Sequence, residues 1–476
     1  MFVAVALPAL LGLVGLALDG GRLFTLDSQL AGIADSAALA AAARLDRSPR
    51  AIVNARDAAN ALGNRASFAS GPDARTPLTF RFAAALADLR TSPTYTLADT
   101  AGAEAAFVEV TTADRSLATS LLQLLGVRPT PIRRSAIAQA QYFACDVTPA
   151  LFCHRDPEAF VAGATRGRQY RLRYDGGRED GAIRLLDPPG DAGGREGLRL
   201  LATNAPAFCH TERATLRPFL EERSFHDALN VRFDRYANRQ GPIAPDLSVF
   251  PPAPTVISGR RFDSCRGPLE SADFNPPYSL PRDSAFRDLR RPSSFDSGGG
   301  DWKVSAAYGG SGATTAATAL DEYLYWNHSD KSILFQDSLR VSASRYEIYL
   351  KELGLTEATE TEPAPTRGVT RAAATMPSGG PRVGSYSIAR ENAVPLCWRG
   401  AQEPAEARRR VLYLAIVDCA NFGSLGGAGP LSRNIGKFFL TEPSSPGAIM
   451  VEFVNMVRPT RSDGKLRRVV RLVDVN

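Results

Sequence analysis

The metal-binding and nucleophilic chemistry open to this sequence rests on few side chains. They are four histidines, His154, His210, His226 and His328, and six cysteines, Cys145, Cys153, Cys209, Cys265, Cys397 and Cys419. Cys153-His154 and Cys209-His210 are adjacent pairs, which invites a zinc reading. Neighbours on an extended strand point to opposite faces, however, and there is no C-x-x-C or H-x-x-x-H spacing to support a shared ion. An even number of dispersed cysteines after an apolar N-terminus suits disulfides in an oxidising compartment better. Six cysteines allow about fifteen pairings. Nearness along the chain suggests Cys145 with Cys153, Cys397 with Cys419, and Cys209 with Cys265.

Other constellations are weaker. Ser224-Phe225-His226-Asp227 has the letters of a nucleophilic triad, but a sequential cluster rarely folds into one, and no G-x-S-x-G elbow is present. Gly423, Gly426 and Gly429 follow an apolar run, yet lack both a Walker lysine and the G-x-G-x-x-G spacing. Arg408 to Arg410 reads as solvated charge before a strand, and Asn327-His328-Ser329 fits a glycosylation sequon. No catalytic residue, metal or cofactor is expected.

The 476 residues suffice for two or three domains. With 44% hydrophobic and 22% charged residues, usage is that of a folded chain. The 56 basic and 50 acidic residues leave +6, and the arginines are scattered, so no clustered basic face argues for nucleic acid.

From Phe2 to Leu18 no residue is charged. As a helix that run spans about 26 Å, enough for a thin bilayer core. A cleaved signal peptide is the rival, disfavoured because no basic stretch precedes the run, no A-x-A site follows it, and helical periodicity continues past Arg22. Leu23, Leu26, Leu30, Ile33, Ala37 and Ala40 recur at threes and fours, so one helix should continue to about Leu45. Small residues on this stripe would let another helix approach closely. Packing of the stripe on the protein's own domain is the equal alternative.

Leu16-Ala-Leu-Asp-Gly-Gly-Arg-Leu-Phe, followed by Gln29-Leu-Ala-Gly-Ile-Ala-Asp-Ser-Ala-Ala-Leu-Ala, resembles the N-terminal signature of TadE/TadG-like Flp (Tad) pilus-assembly proteins. Phe107-Val-Glu-Val, Leu117 to Gly126, Ile132 to Gln139, Cys145-Asp-Val-Thr-Pro, Ala228 to Tyr236, Arg410 to Cys419, Phe438-Phe-Leu-Thr-Glu and Val451-Glu-Phe-Val extend the resemblance to TadG-related members. It implies a single-pass bacterial inner-membrane component of the pilus machine, its body in the periplasm. Its partners would be pilus-assembly proteins, met through the helix and the body. Some members carry a von Willebrand A-type domain whose metal site needs D-x-S-x-S after a buried strand. Here Val411 to Val417 leads into Asp418-Cys419-Ala420-Asn421-Phe422, without the serines, so no such site is expected. Members also have a short basic stretch before the apolar run, which suggests that a few residues precede Met1. Counted literally, the positive-inside rule would put Arg22 in the cytoplasm. The cysteines argue for the opposite orientation, since long domains translocate largely regardless of charge.

The expected fold is α+β. A transmembrane anchor at 1–18 leads into a helical stalk at 19–64, with a second helix from Pro49 to Leu62. A small α+β module follows at 76–141, with strands at Leu78 to Phe82, Phe107 to Thr111 and Ile132 to Gln139 around a helix at Ser116 to Leu125. A β-rich body covers 142–354, with a proline-rich connector at Gly241 to Pro254 and a mobile loop at Ser297 to Thr318. A flexible linker at 355–392 and a closing β-rich unit at 393–476 complete the chain. The leading functional expectation is a non-enzymatic assembly protein acting through protein contacts, with no small-molecule substrate. A surface-exposed adhesin or binding module is the alternative, and an exported hydrolase the third.

Overall fold

The computed structural model describes residues 2–64, 66, 75–117, 131–174, 177–186, 195–203, 209–210, 222–236, 248–259, 265, 279–287, 297–306, 318–327, 343–360, 382–383, 386–387, 395–400, 406–421, 434–457 and 465–473. Residues 118–125 of the helix expected at Ser116 to Leu125, half of the loop expected at Ser297 to Thr318, the glycines 423, 426 and 429, and His328 lie outside the described residues. The chain forms two compact units, one made of Met1–Tyr142 with Arg468–Asn476 and the other of Phe143–Arg467.

In the first unit α1 (Phe2–Ala42) and α2 (Ala51–Asn60) lie against one face of a sheet. The strands β1 (Leu78–Ala83) and β2 (Phe107–Thr112) flank the short α3 (Leu86–Thr91), and β3 (Ser135–Cys145) follows. The sheet order is β1-β2-β3, with both pairings antiparallel, and it ends on the chain's last strand. Alternation explains the packing: Val108 and Val110 of β2, and Ala136, Ala138, Ala140 and Tyr142 of β3, turn one face inward onto Ala34, Ala37, Ala38, Ala41 and Ala42 of α1. Alanine on both surfaces lets helix and sheet approach closely. On the partly buried side Arg81 pairs directly across with Glu109, its Nε 2.6 Å from Oε2.

β3 starts at Ser135, three residues later than the expected Ile132, which makes only an isolated bridge with Arg115. Arg134 sends its guanidinium to Asp27 of α1 in a two-pronged contact at 2.6 and 2.7 Å, so its side chain ties the sheet to the helix.

The second unit is built on a six-stranded sheet. It uses β4 (Ala150–His154), β5 (Gln169–Leu172) and β6 (Ile183–Leu185), with α4 (Pro157–Gly163) between the first two. Next come α5 (Arg195–Thr203), the two-residue β7 (Cys209–His210), α6 (Glu222–Asn230), α7 (Ala319–Asn327) and α8 (Arg345–Glu352). β8 (Arg382–Val383) and β9 (Tyr386–Ser387) pair antiparallel, and β10 (Val411–Asp418), β11 (Ile435–Leu440), β12 (Ile449–Met456) and β13 (Leu466–Val473) follow. The sheet order is β5-β12-β11-β10-β4-β6. Only β10 and β4 run parallel; the other neighbours are antiparallel. β13 is the edge of the first unit's sheet, beside β3.

The run Val411-Leu-Tyr-Leu-Ala-Ile-Val has no alternation because both faces of β10 are covered. Val411, Tyr413, Ala415 and Val417 meet α7 and α8 in one core, while Leu412, Leu414 and Ile416 meet α4, α5 and α6 in another. The 393–476 segment thus supplies the centre of a sheet whose flanks come from 150–185, so these two stretches share one folded unit. Two helix starts follow local sequence rules. Asp156 caps α4 by accepting from Ala159 N–H at 2.9 Å, ahead of Pro157, and Ser344 and Glu347 form a reciprocal capping box on α8. Of the expected linker, Glu357 and Glu360 are tied down, the first to Arg166 and the second to Lys437 and Tyr346.

The disulfides are Cys145–Cys209, Cys153–Cys419 and Cys265–Cys397, which corrects all three expected pairings. Sequence proximity failed because sheet order decides which strands meet. Cys153 sits on β4 opposite Val417 of the parallel β10, so Cys419, two residues on, is its partner although 266 positions away. Cys145 ends β3 and faces Cys209 on β7.

Around the third bridge Asp234, in the left-handed region at φ 61°, accepts from the N–H groups of Leu396 and Cys397, both at 2.6 Å. Burial pushes its carboxyl up to about 6 despite these bonds. A raised carboxyl binds its proton more tightly in the folded state, so it favours folding at low pH and that contribution is lost as pH rises from 3.8 through about 6. Asp234→Asn keeps the accepting oxygen and removes the titration. Between pH 7 and 5 the wild type should gain about 1 kcal/mol relative to this variant, read from urea melts at the two pH values.

Candidate functional site

The residues picked from the sequence for helix packing all fall on α1. Leu26, Leu30, Ile33 and Ala37 are buried, Ala40 is half-buried, and Leu23 remains 37% exposed. Leu26, Leu30 and Ile33 cluster with Ala66 and Leu117, and Leu78 and Ile132 pack beside them. Ala37 joins the core shared with α2 and the sheet. Of the two readings left open for the stripe, the structure shows packing within the protein's own unit. Ala37→Leu would force a large side chain into a fully buried site between helix and sheet. It should cost the first unit about 1–3 kcal/mol, seen as an earlier unfolding transition with the second unit's transition unchanged.

A different face of α1 is open. Leu13, Val14, Leu18 and Phe24 are 64, 48, 54 and 74% exposed, and Ala17 and Gly21 are exposed beside them. At about 100° per residue these positions form one apolar stripe, and Phe24 lies about 200° around the helix from the buried Leu26. A large apolar stripe on a solvent face is the signature of something else covering it, a lipid or another helix. The signal was present in the sequence, but periodicity cannot say which of several apolar faces a fold will use for itself. The candidate functional surface is therefore the N-terminal half of α1, held by a C-terminal half locked into the first unit.

Among the described residues, no helix is long and apolar enough to cross a membrane. The segment expected to do so, 1–18, is helical from Phe2, and the side chains of residues 2–12, 15 and 16 lie outside the described residues.

The alternative chemistries do not assemble. Cys153 and Cys209 are in disulfides, so neither Cys-His pair offers a thiolate. His226 is buried, its Nε2 lies 3.4 Å from Glu222 Oε1, and Nδ1 has no partner, so neither ring nitrogen meets Ser224 or Asp227. Burial lowers its basicity against the opposing pull of Glu222. His210 is likewise lowered by burial. Asp418 caps its own strand end by accepting from Ala420 N–H at 2.9 Å.

Charge concentrates instead in a sealed knot that no sequence pattern announced. Arg345, the first residue of α8, reaches Asp283 at 2.7 Å and Glu452 at 3.0 Å, and all three side chains have no exposed surface. Its Nε and Nη1 also donate to the carbonyls of Pro281 and Gly167, and its guanidinium lies 4.6 Å from the Trp302 ring centroid. Glu452 further accepts from the N–H groups of Arg345 and Tyr346 at the start of α8, both at 3.0 Å. Burial raises the Glu452 carboxyl, opposed first by Arg345. Closed to solvent, the knot ties the start of α8 to β12 of the sheet and offers no surface to a substrate.

No curated protein and no solved structure matches the chain. Residues 1–44, which contain both the exposed apolar stripe and the first turns of the buried one, match the family model Tad, described as putative Flp pilus-assembly TadE/G-like.

Proposed function

We propose that this chain is a membrane-anchored, non-enzymatic component of Tad/Flp pilus assembly that works through protein contacts outside the cytoplasm. The observation that carries the reading is the family match over residues 1–44. The geometry of that segment supports it: the helix that matches has an exposed apolar stripe from Leu13 to Phe24 and a buried one from Leu26 onward. The first stripe, continuous with the uncharged run from Phe2, enters the inner membrane and packs on helices of other pilus-assembly proteins there. The second holds the helix to the body.

The three disulfides support a periplasmic body, because such bridges persist in oxidising compartments. Function through surfaces is supported by His226, whose Nε2 lies beside Glu222 and whose buried Nδ1 has no hydrogen-bond partner. Deleting the gene and counting pili by electron microscopy tests the proposal. Loss of most pili, restored by the intact gene, is expected; unchanged number and length would overturn it.

A further inference from the structure

A cavity among the described residues of the second unit has chemistry that the assembly role does not use. It has a volume of about 350 Å³, within the usual range for a small-ligand site, and lies between α4 and the β5, β4 side of the sheet. Phe152, Phe160, Tyr170 and Leu172 form its apolar lining, with Phe160 and Tyr170 ring centroids 5.1 Å apart. Arg168, Asp180, His154 and Ser297 supply the polar groups.

Their electrostatics are unequal. Asp180 is answered at the rim: its Oδ1 accepts from Arg155 N–H at 2.6 Å and its Oδ2 lies 3.8 Å from the Arg155 guanidinium. His154 turns Nδ1 onto the backbone of Asp156, 3.1 Å from the N–H and 2.8 Å from the carbonyl, which leaves Nε2 uncommitted. Arg168 hydrogen-bonds the Tyr170 hydroxyl, but no carboxylate among the described residues pairs with it, and its Nε is buried with no hydrogen-bond partner. Arg232 and Arg409 also have one buried nitrogen without a hydrogen-bond partner, but their guanidiniums are otherwise bound by backbone carbonyls away from this cavity, whereas Arg168 lines it. Arg168 thus brings to the cavity wall a positive charge that no carboxylate among the described residues neutralises.

We infer that this cavity binds a monocarboxylate with an aromatic or branched apolar body, its carboxylate on Arg168 and its body against Phe152, Phe160 and Leu172. An inorganic dianion suits the site less well, since apolar walls cannot replace its hydration. The carboxylate can come from a free aromatic acid or from the C-terminal residue of a polypeptide. Either would give the body a ligand that the membrane helix does not supply.

The test titrates the full chain in detergent micelles by calorimetry with 3-phenylpropionate, with a hexapeptide ending in Phe, and with the same peptide as its C-terminal amide. Saturable binding of an acid, with the amide at least tenfold weaker, is expected from the lost charge-assisted bonds. Tighter binding of the peptide acid than of 3-phenylpropionate assigns the site to a chain terminus, and equal binding to a free acid. Arg168→Gln should abolish the preference for acid over amide. Ser297→Trp, at an exposed rim position whose backbone bridge to Tyr170 the new side chain leaves in place, should block both ligands with the unfolding temperature unchanged. Binding of acid and amide with equal affinity, binding of neither, or wild-type affinity in both variants would overturn the proposal.

Discussion

Replacing Arg345 with methionine should destabilise the second unit by about 3–5 kcal/mol, the largest single-residue effect expected in this protein. The reason is what the substitution leaves behind. Asp283 and Glu452 would remain with no exposed surface and no counter-charge, while the methionine would still cover part of the Trp302 face. The Glu452 carboxyl, already raised by burial, would rise further once Arg345 no longer opposes it. A carboxyl with a folded-state pKa above its unfolded value favours folding at low pH and loses that contribution as pH rises through the folded value. The gap between wild type and Arg345→Met should therefore narrow as pH falls from neutrality towards the ordinary carboxyl range. Guanidinium melts at several pH values check this. The triple variant Arg345→Met, Asp283→Asn, Glu452→Gln should recover most of the loss, because a neutral buried cluster leaves no charge uncompensated.

Breaking the Cys153–Cys419 bridge by paired alanine substitution should cost about 2–5 kcal/mol. The bridge joins the only parallel neighbours in the six-stranded sheet, and the segment between them contains every helix from α4 to α8. In the chain-entropy account it should be worth about 1 kcal/mol more than Cys145–Cys209, since it closes a loop across 266 positions against 64. Urea unfolding of the two alanine pairs, each with the remaining bridges intact, gives the comparison. Equal losses would point to strand geometry as the main contribution.

Several elements were legible in the sequence because their cause is local. The alternating period of β2 and the unbroken apolar run of β10 mark strands with one and two buried faces. The helix from Phe2 to Ala42 was visible as a period of threes and fours. Which of its faces would be taken by the protein itself was not, because that depends on Phe82, Val108 and Ala138, residues brought to it only by the sheet. The disulfides failed for the same reason: β3 and β4 are consecutive in the chain but belong to different sheets, so Cys145 and Cys153 part company. The Arg345 knot gathers residues 283, 345 and 452, and the placement of Arg168 on the cavity wall is evident only once its neighbours are placed.

The division of α1 into an outward stripe and an inward one is the centre of the functional account, and it can be tested in the cell. A strain lacking the gene would receive either the intact chain or one in which residues 1–18 are replaced by a cleavable secretion leader, and pili would be counted for each. The account predicts that the intact chain restores piliation while the released body, exported with its three disulfides formed, restores none. Full piliation from the released body would contradict it.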